Sequence, residues 1–281
     1  MGIELVVLDW DGTVTKVDEE AGPAVDGWRE DVGVELKLST FEIERRWSAA
    51  QATIEAHPGK YGWYFGKEKR IVAPAYADPL IMARTITELL FDEAGVLMNR
   101  EEREEILQNR FFLGNYPKML TVFKEDADTF LTELRARYDV VIVTNSGTEG
   151  VAKKVAQLPT DHSALRIHGD AKKYVLDLEW KDVPESVERA GYGRPLFLQR
   201  KQYNDVLLRL MGERGLNPRQ VAVVGDIYEL DLLVPEHLGM NIVLTPRAST
   251  PQFEVNAVRT SSFGYVTQTL REALPHLESC R

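Results

Sequence analysis

Short apolar runs that end in polar clusters recur along the chain, and they predict the strands of a parallel sheet. Three of them lie within "ELVVLDWDGT", "YDVVIVTNSGT" and "QVAVVGDIYELD", and "NIVLTPR" supplies a fourth. Continuous apolar runs without alternation are typical of strands that helices cover on both faces. Because ligands bind at the carboxyl ends of such strands, we expect the polar clusters to form a functional site.

Amphipathic segments separate these runs and predict helices. "FKEDADTFLTELRARY" precedes the second strand and "RKQYNDVLLRLMGERGL" precedes the third, and in both the apolar residues recur at helical spacing. Gly215 has the position of a helix C-cap. The alternation of helix and strand predicts an α/β fold with right-handed crossovers, which is a Rossmann-like parallel sheet flanked by helices.

The segment 17–117 differs from the rest because charged, amphipathic stretches dominate it and strand-like runs are few. This pattern predicts that 17–117 is a mostly α-helical domain inserted after the first strand. Residues 1–16 and 118–281 then form the α/β core. Ser39 or Thr40, followed by Glu42, indicates a helix start, and Gly95 indicates a helix end. The stretch "HPGKYGWYFGKEKR" at 57–70 is interpreted as a loop because it is rich in glycine.

The composition of the chain argues against several classes of function and partner. The 281 residues are 44% hydrophobic and 28% charged, with a formal net charge of -10, which argues against a nucleic-acid partner. The single cysteine, Cys280, excludes a disulfide framework. The N-terminus lacks the pattern of a cleaved signal, and no apolar run is long enough to predict a membrane span. We therefore expect a cytoplasmic protein without a membrane partner.

The polar residues after the three strands are of the types that bind phosphate and Mg²⁺. Asp9 and Asp226 offer the hard carboxylate oxygens that Mg²⁺ prefers. Thr144 and Asn145 can donate hydrogen bonds to phosphate oxygens near the start of a helix. Lys201, at the start of the helix before the third strand, can neutralise the remaining negative charge. The predicted cofactor is Mg²⁺, and the predicted partner is a small phosphorylated substrate.

At these residues the chain resembles the haloacid dehalogenase superfamily, in its phosphatase branch. The resemblance covers 1–16 and 118–281, and the insert is similar to the helical cap of the phosphoglycolate phosphatase and phosphomutase group. Four motifs carry it in order: "DWDGT" from Asp9 through Asp11 and Gly12 to Thr13, Thr144 at the end of "VVIVTN", Lys201, and "GDIYELD" with Asp226 and Asp231.

The resemblance implies a role for most of these residues. Asp9 would attack phosphorus and become an aspartyl phosphate, and Asp11 would act as general acid and base. The backbone carbonyl of Asp11 would bind Mg²⁺ together with Asp9 and Asp226. Asp231 would support the metal through water or pair with Lys201. Dehalogenases of this superfamily lack the aspartate at the position of Asp11, so its presence favours phosphate esters.

A departure from the family pattern leaves the identity of the cationic residue open. Lys201 lies 25 positions before Asp226, a common spacing in this superfamily, and is therefore favoured. However, Gln202 follows it where proline is frequent, so that Arg200 or the pair Lys172-Lys173 is an alternative. We interpret Glu229 as a solvated loop residue, and "LRIHGDAKKYVLDLEW" as a strand pair joined by a turn at its Gly-Asp.

The leading hypothesis is a Mg²⁺-dependent phosphatase acting on a small phosphorylated metabolite. A phosphomutase of the same superfamily and a non-catalytic module similar to a receiver domain are the alternatives. The family's cap closes over the site and excludes water. Six cap residues either recognise the leaving group or only pack within the cap: Tyr61, Trp63, Tyr64, Lys67, Lys69 and Arg70.

Overall fold

The chain divides into two compact units. The computed structural model describes residues 2–65, 70–97 and 99–280. One unit, here the core unit, consists of Met1–Lys16 and Phe123–Arg281, and the other, here the insert unit, is Val17–Val122. The insert unit thus extends past the predicted boundary at 117. Among the described residues, no helix has the length and apolar character needed to cross a membrane.

The regular elements follow one another in mixed order along the chain. The strands are β1 (Leu5–Leu8), β2 (Gly62–Phe65), β3 (Arg70–Pro74), β4 (Asp139–Val143), β5 (Arg166–His168), β6 (Ser186–Val187), β7 (Leu196–Phe197), β8 (Val221–Gly225), β9 (Asn241–Leu244) and β10 (Gly264–Val266). The α-helices are α1 (Val17–Glu35), α2 (Thr40–Ala56), α3 (Pro79–Ala94), α4 (Arg100–Glu105), α5 (Leu113–Asn115), α6 (Ala127–Arg135), α7 (Thr148–Val155), α8 (Lys201–Gly212), α9 (Leu233–His237), α10 (Gln252–Thr260) and α11 (Ala273–Ser279).

A six-stranded parallel sheet forms the centre of the core unit, in the order β10-β9-β8-β1-β4-β5. Leu5 and Val7 of β1 pack in one apolar cluster with α8, α9 and α10, whereas Val6 and Leu8 pack in another with α6, α7 and α11. Both faces of the strand are therefore buried, which explains its continuous apolar run. The predicted α/β fold with a parallel sheet flanked by helices is confirmed.

The strand order reverses next to β1, and this reversal locates the site. From β1 the chain continues to β4 and β5 on one side, and later to β8, β9 and β10 on the other. Leu8 is in register with Ile142 of β4 and Val224 of β8. The residues that follow these three strands are therefore neighbours at a topological switch point, where open α/β sheets bind ligands.

The insert unit is mainly helical and has its own apolar cluster, which includes Trp28, Phe91 and Phe111. Ser39 caps α2 in a reciprocal capping box with Glu42, as the sequence predicts. Gly95 ends α3 in the left-handed conformation, with φ +64°. The helix signals of this segment therefore arise from local capping chemistry.

The interpretation of 57–70 as a loop is wrong for part of that stretch, because β2 pairs with β3 in an antiparallel hairpin. Aromatic and β-branched residues on the two strands favour this pairing over an open loop. Tyr61 packs against the apolar cluster, and the guanidinium of Arg84 lies 6.0 Å from the Trp63 ring centroid. Lys67 and Lys69 lie outside the described residues.

Candidate active site

Three carboxylates meet at the carboxyl ends of β1 and β8. Asp9 follows β1 and Asp226 follows β8, while Asp231 lies at the end of the helical turn after β8. One carboxylate oxygen of each lies within 4.8 Å of one oxygen of the other two. All three side chains are buried. The structure thus brings Asp9 next to two acidic residues that lie more than two hundred positions further along the chain.

Gly12 and Thr13 form the turn that lets these carboxylates approach each other. Gly12 has φ +82°, and a Cβ atom on it would lie 2.3 Å from Oδ2 of Asp226. Only glycine is compatible with both conditions. The Thr13 hydroxyl donates to Oδ2 of Asp9 at 2.8 Å and lies 3.3 Å from Oδ1 of Asp226. These two residues therefore support the site as the motif suggests.

The lysine beside Asp9 is Lys173, and the assignment of Lys201 to this position is wrong. The Nζ atom of Lys173 lies 2.7 Å from Oδ1 of Asp9 and 2.9 Å from Oδ1 of Asp231. The side chain of Lys201 is 42% exposed and pairs with Asp205, one turn further along α8. Lys201, the first residue of α8, points outwards. Its 25-residue spacing to Asp226 therefore does not bring it to the carboxylates.

Lys173 reaches the site from the segment after β5, across the end of β4. This segment does not form the predicted strand pair, because β5 joins the large sheet parallel to β4. The backbone N–H of Ala171 donates to the carbonyl of Thr144, and that of Lys173 donates to Oδ1 of Asn145, both within 2.9 Å. Asn145 therefore lies at the site, where its side chain holds the lysine segment.

Asp11 is held by polar groups from the loop after β4 and from α7. The Ser146 hydroxyl donates to its Oδ2 at 2.6 Å, and the Thr144 hydroxyl lies 3.4 Å from the same oxygen. Nζ of Lys154 lies 3.1 Å from Oδ1. Sequence reasoning missed Ser146 and Lys154. Ser146 is part of the polar cluster after β4, whereas Lys154 becomes visible only when α7 is placed.

A comparison with protein families identifies the family of this chain. The family model of haloacid dehalogenase-like hydrolases matches residues 3–239. This chain belongs to the haloacid dehalogenase-like hydrolases. No curated protein sequence matches the chain significantly.

Solved structures with the same fold include several members of the haloacid dehalogenase-like family. A predicted phosphoglycolate phosphatase from Haemophilus somnus is 15% identical, with 98% of this chain and 97% of that chain covered and a TM-score of 0.56. The putative hydrolase YfnB from Bacillus subtilis, bound to magnesium, is 14% identical, with 99% of both chains covered and a TM-score of 0.55. At these identities the similarity shows a shared fold.

In this haloacid dehalogenase-like hydrolase, burial makes Asp9 and Asp226 costly to ionise. Burial raises the pKa of Asp9 well above its usual range, and Asp231 adds to the rise, while Lys173 opposes it. Burial likewise raises the pKa of Asp226 to about 7, against the attraction of Arg247. Nε of Arg247 lies 2.7 Å from Oδ2 of Asp226. Arg247 is the last residue of "NIVLTPR", shortly after β9. The expectation that polar residues after the strands form the site could therefore have identified it.

The lysine is held in its charged form by the same cluster. Burial alone would lower the pKa of Lys173, but the carboxylates of Asp231 and Asp9 outweigh burial and raise it. Asp231 accepts from Lys173 through Oδ1 and from the backbone N–H of Ile227 through Oδ2, at 3.0 Å. Of the two roles left open for Asp231, this geometry favours pairing with the lysine, although the lysine is Lys173.

The donor set of the cluster fits a divalent cation. Three buried carboxylates form the cluster, Lys173 and Arg247 make ion pairs with them, and Lys124 is near enough to interact electrostatically with Asp226 and Asp9. Hard oxygen donors at this spacing are the ligands that Mg²⁺ prefers. The oxygens of all three carboxylates already accept hydrogen bonds or form ion pairs, so a bound ion would replace some of these contacts.

Proposed function

We propose that this protein is a Mg²⁺-dependent phosphatase that hydrolyses a small phosphorylated metabolite through an aspartyl phosphate on Asp9. The observation that carries the proposal is the pair Asp9 and Asp11. One of them is buried against Lys173, and the other is half-buried and held by Ser146 and Lys154. Two carboxylates in such different environments suit a nucleophile and an acid–base group.

The first chemical step forms a bond between a carboxylate oxygen of Asp9 and phosphorus, while the ester P–O bond breaks. Thr13 and Lys173 orient that carboxylate by hydrogen bonds to its two oxygens, at 2.8 and 2.7 Å. The leaving alkoxide takes a proton from Asp11. Splitting the displacement into two steps lowers the barrier of each.

The second step hydrolyses the aspartyl phosphate. Asp11, now ionised, takes a proton from water as the water oxygen attacks phosphorus, and the bond to Asp9 breaks to release inorganic phosphate. Ser146 and Lys154 hold the carboxylate of Asp11 by donating to its two oxygens. The same hydrogen bonds keep it pointed at one place during both proton transfers.

Asp9 and Asp226 would hold the Mg²⁺ ion, and the bound ion would neutralise negative charge on the phosphoryl oxygens. Lys173 contributes a fixed positive charge next to the nucleophile. Such preorganised charges are worth more in a buried site than in water. Residues from three strand ends and from the segment after β5 would therefore provide the charges that phosphoryl transfer requires.

Phosphate release from a panel of phosphorylated sugars, short acids and nucleotides tests the proposal. We expect release that requires Mg²⁺, is abolished by a chelator, and is lost in Asp9→Asn. Asp205→Asn is the matched control, because this exposed aspartate of α8 lies outside the site. Metal-independent release, or full activity in Asp9→Asn, contradicts the proposal.

The form of the product distinguishes the alternatives. A phosphatase releases inorganic phosphate in proportion to substrate consumed. A phosphomutase returns an isomeric phosphate ester with little free phosphate, and a receiver-like module retains a phosphorylated Asp9 for minutes or longer. Either of these outcomes replaces the proposed activity.

A further inference from the structure

Lys173 lies in a segment that has no regular structure to hold it. Both Asp170 and Lys172 have φ +53°, in the left-handed region. A functional lysine in such a segment needs other contacts to stay in place. The backbone of Lys173 is fixed at both ends: its N–H donates to Asn145, and its carbonyl accepts from Nη1 of Arg200.

Arg200 is the residue directly before α8 and is completely buried. Besides the carbonyl of Lys173, it donates through Nε to the carbonyl of Phe197 at 3.2 Å and through Nη2 to Glu229 at 3.2 Å. Burial lowers the pKa of Arg200 to about 10, and Glu229 opposes that fall, so the guanidinium stays charged at neutral pH. Its planar fork can bond several acceptors at once, which an ammonium cannot do with the same geometry.

Glu229 anchors this arginine. The interpretation of Glu229 as a solvated residue is wrong, because its side chain has no exposed surface and also accepts from Arg194 at 3.1 Å. It lies in the helical turn between Asp226 and Asp231. Arg200 therefore connects the turn that carries Asp231 with the backbone of the lysine that pairs with Asp9 and Asp231.

We propose that Arg200, anchored by Glu229, is a positioning residue that fixes the backbone of Lys173 so that Nζ meets Asp9 and Asp231. Its role in catalysis rests on the proposed phosphatase activity, whereas its role in placing Lys173 does not. Without Arg200, Glu229 would still pair with Arg194, but the carbonyl of Lys173 would lose the guanidinium N–H from which it accepts. We therefore expect that the segment with Lys173 and the turn with Glu229 both require an arginine at this position.

Lysine acylation followed by mass spectrometry tests the placement without reference to activity. In the wild-type protein we expect Lys173 to resist acylation and Lys201, which is exposed, to react. In Arg200→Met, Lys173 should become reactive by about 10-fold or more, because its carbonyl is released and its ion pairs loosen. Arg214→Met is the matched control: it removes an arginine that is 13% exposed and pairs with Asp139 beyond the other end of α8.

Arg200→Lys keeps the charge beside Glu229 and serves if Arg200→Met does not fold. We expect its Lys173 reactivity to lie between wild type and Arg200→Met, since an ammonium cannot reproduce the fork. In phosphate-release assays, kcat should fall about 10- to 100-fold in Arg200→Met, with partial recovery in Arg200→Lys and KM changed less. Arg214→Met should match wild type in both assays.

Two results would overturn the inference: a Lys173 that stays protected in the folded Arg200 variants, or equal exposure of Lys173 in Arg214→Met. Circular dichroism and thermal unfolding establish that each variant is folded. If the wild-type protein releases no phosphate from any ester, the proposed function fails, and the acylation pattern still decides whether Arg200 places Lys173.

Discussion

Nζ of Lys173 lies 2.7 Å from Oδ1 of Asp9, although 164 positions separate the two residues in the chain. This contact identifies Lys173, in place of Lys201, as the lysine of the site. We expect Lys173→Met to lower phosphate release by about 100- to 1000-fold, the range for losing one preorganised donor at a developing charge. Lys201→Met is the control on the surface of α8 and should leave kcat and KM at wild-type values. If instead Lys201→Met lowers phosphate release and Lys173→Met does not, Lys201 is the lysine of the site.

Asp11 should matter most for substrates whose leaving group needs a proton. We expect Asp11→Asn to lower kcat by about 100- to 10,000-fold with an alkyl phosphate. An aryl phosphate with an acidic phenol leaves more easily without a proton, so its first step should lose less. Comparing the two esters in Asp11→Asn and wild type measures the difference. Equal losses with both esters would argue against a role for Asp11 as the acid in that step.

Much of this site follows from a rule about strand ends, and the remainder depends on tertiary structure. Asp9, Asp226 and Thr144 were predictable because apolar runs mark buried parallel strands, whose carboxyl ends meet at one edge. The pair Lys172-Lys173 was an alternative, but Lys173 lies on a segment with left-handed residues and no periodicity, so no local signal ranked it above Lys201. Spacing along the chain instead pointed to Lys201, whose direction depends on how α8 packs.

The helical insert shows the same division between local and tertiary signals. The start of α2 at Ser39 and the end of α3 at Gly95 follow from capping chemistry within a few residues. The hairpin of β2 and β3 depends on pairing between two strands, and the glycine-rich composition of 57–70 obscured it. Glu229 has the appearance of a surface residue until Arg200 and Arg194 are placed around it.

Without a divalent cation, the ionisation of Asp226 should oppose folding increasingly as pH rises from about 4 to about 7. The pKa of Asp226 is 3.8 in its ordinary state and about 7 when buried in the fold. Between these values the folded state holds a proton that the unfolded state has released, so rising pH favours unfolding. Thermal midpoints measured across this range in a chelator test the direction. Asp226→Asn should flatten the dependence, and a midpoint that rises with pH to the same extent in both proteins would contradict the expectation.

Gly12 and Gly215 offer a matched pair of substitutions that separates backbone strain from crowding at the site. Both have positive φ, +82° and +64°, but a Cβ atom at Gly215 meets nothing within 4 Å, whereas one at Gly12 lies 2.3 Å from Oδ2 of Asp226. Gly215→Ala should therefore cost about 1 to 2 kcal/mol of stability and leave the site intact.

Gly12→Ala should cost more than that and should also disturb the carboxylates. Asp226 is short, buried and paired with Arg247, so it cannot move aside without breaking that pair. We expect the affinity for Mg²⁺, measured by calorimetry, to fall about 10- to 100-fold in Gly12→Ala, the range for losing support of a metal ligand. The Gly215→Ala protein should bind Mg²⁺ as wild type does. Equal affinities in the two variants would show that the close approach of Gly12 to Asp226 does not shape the cation site.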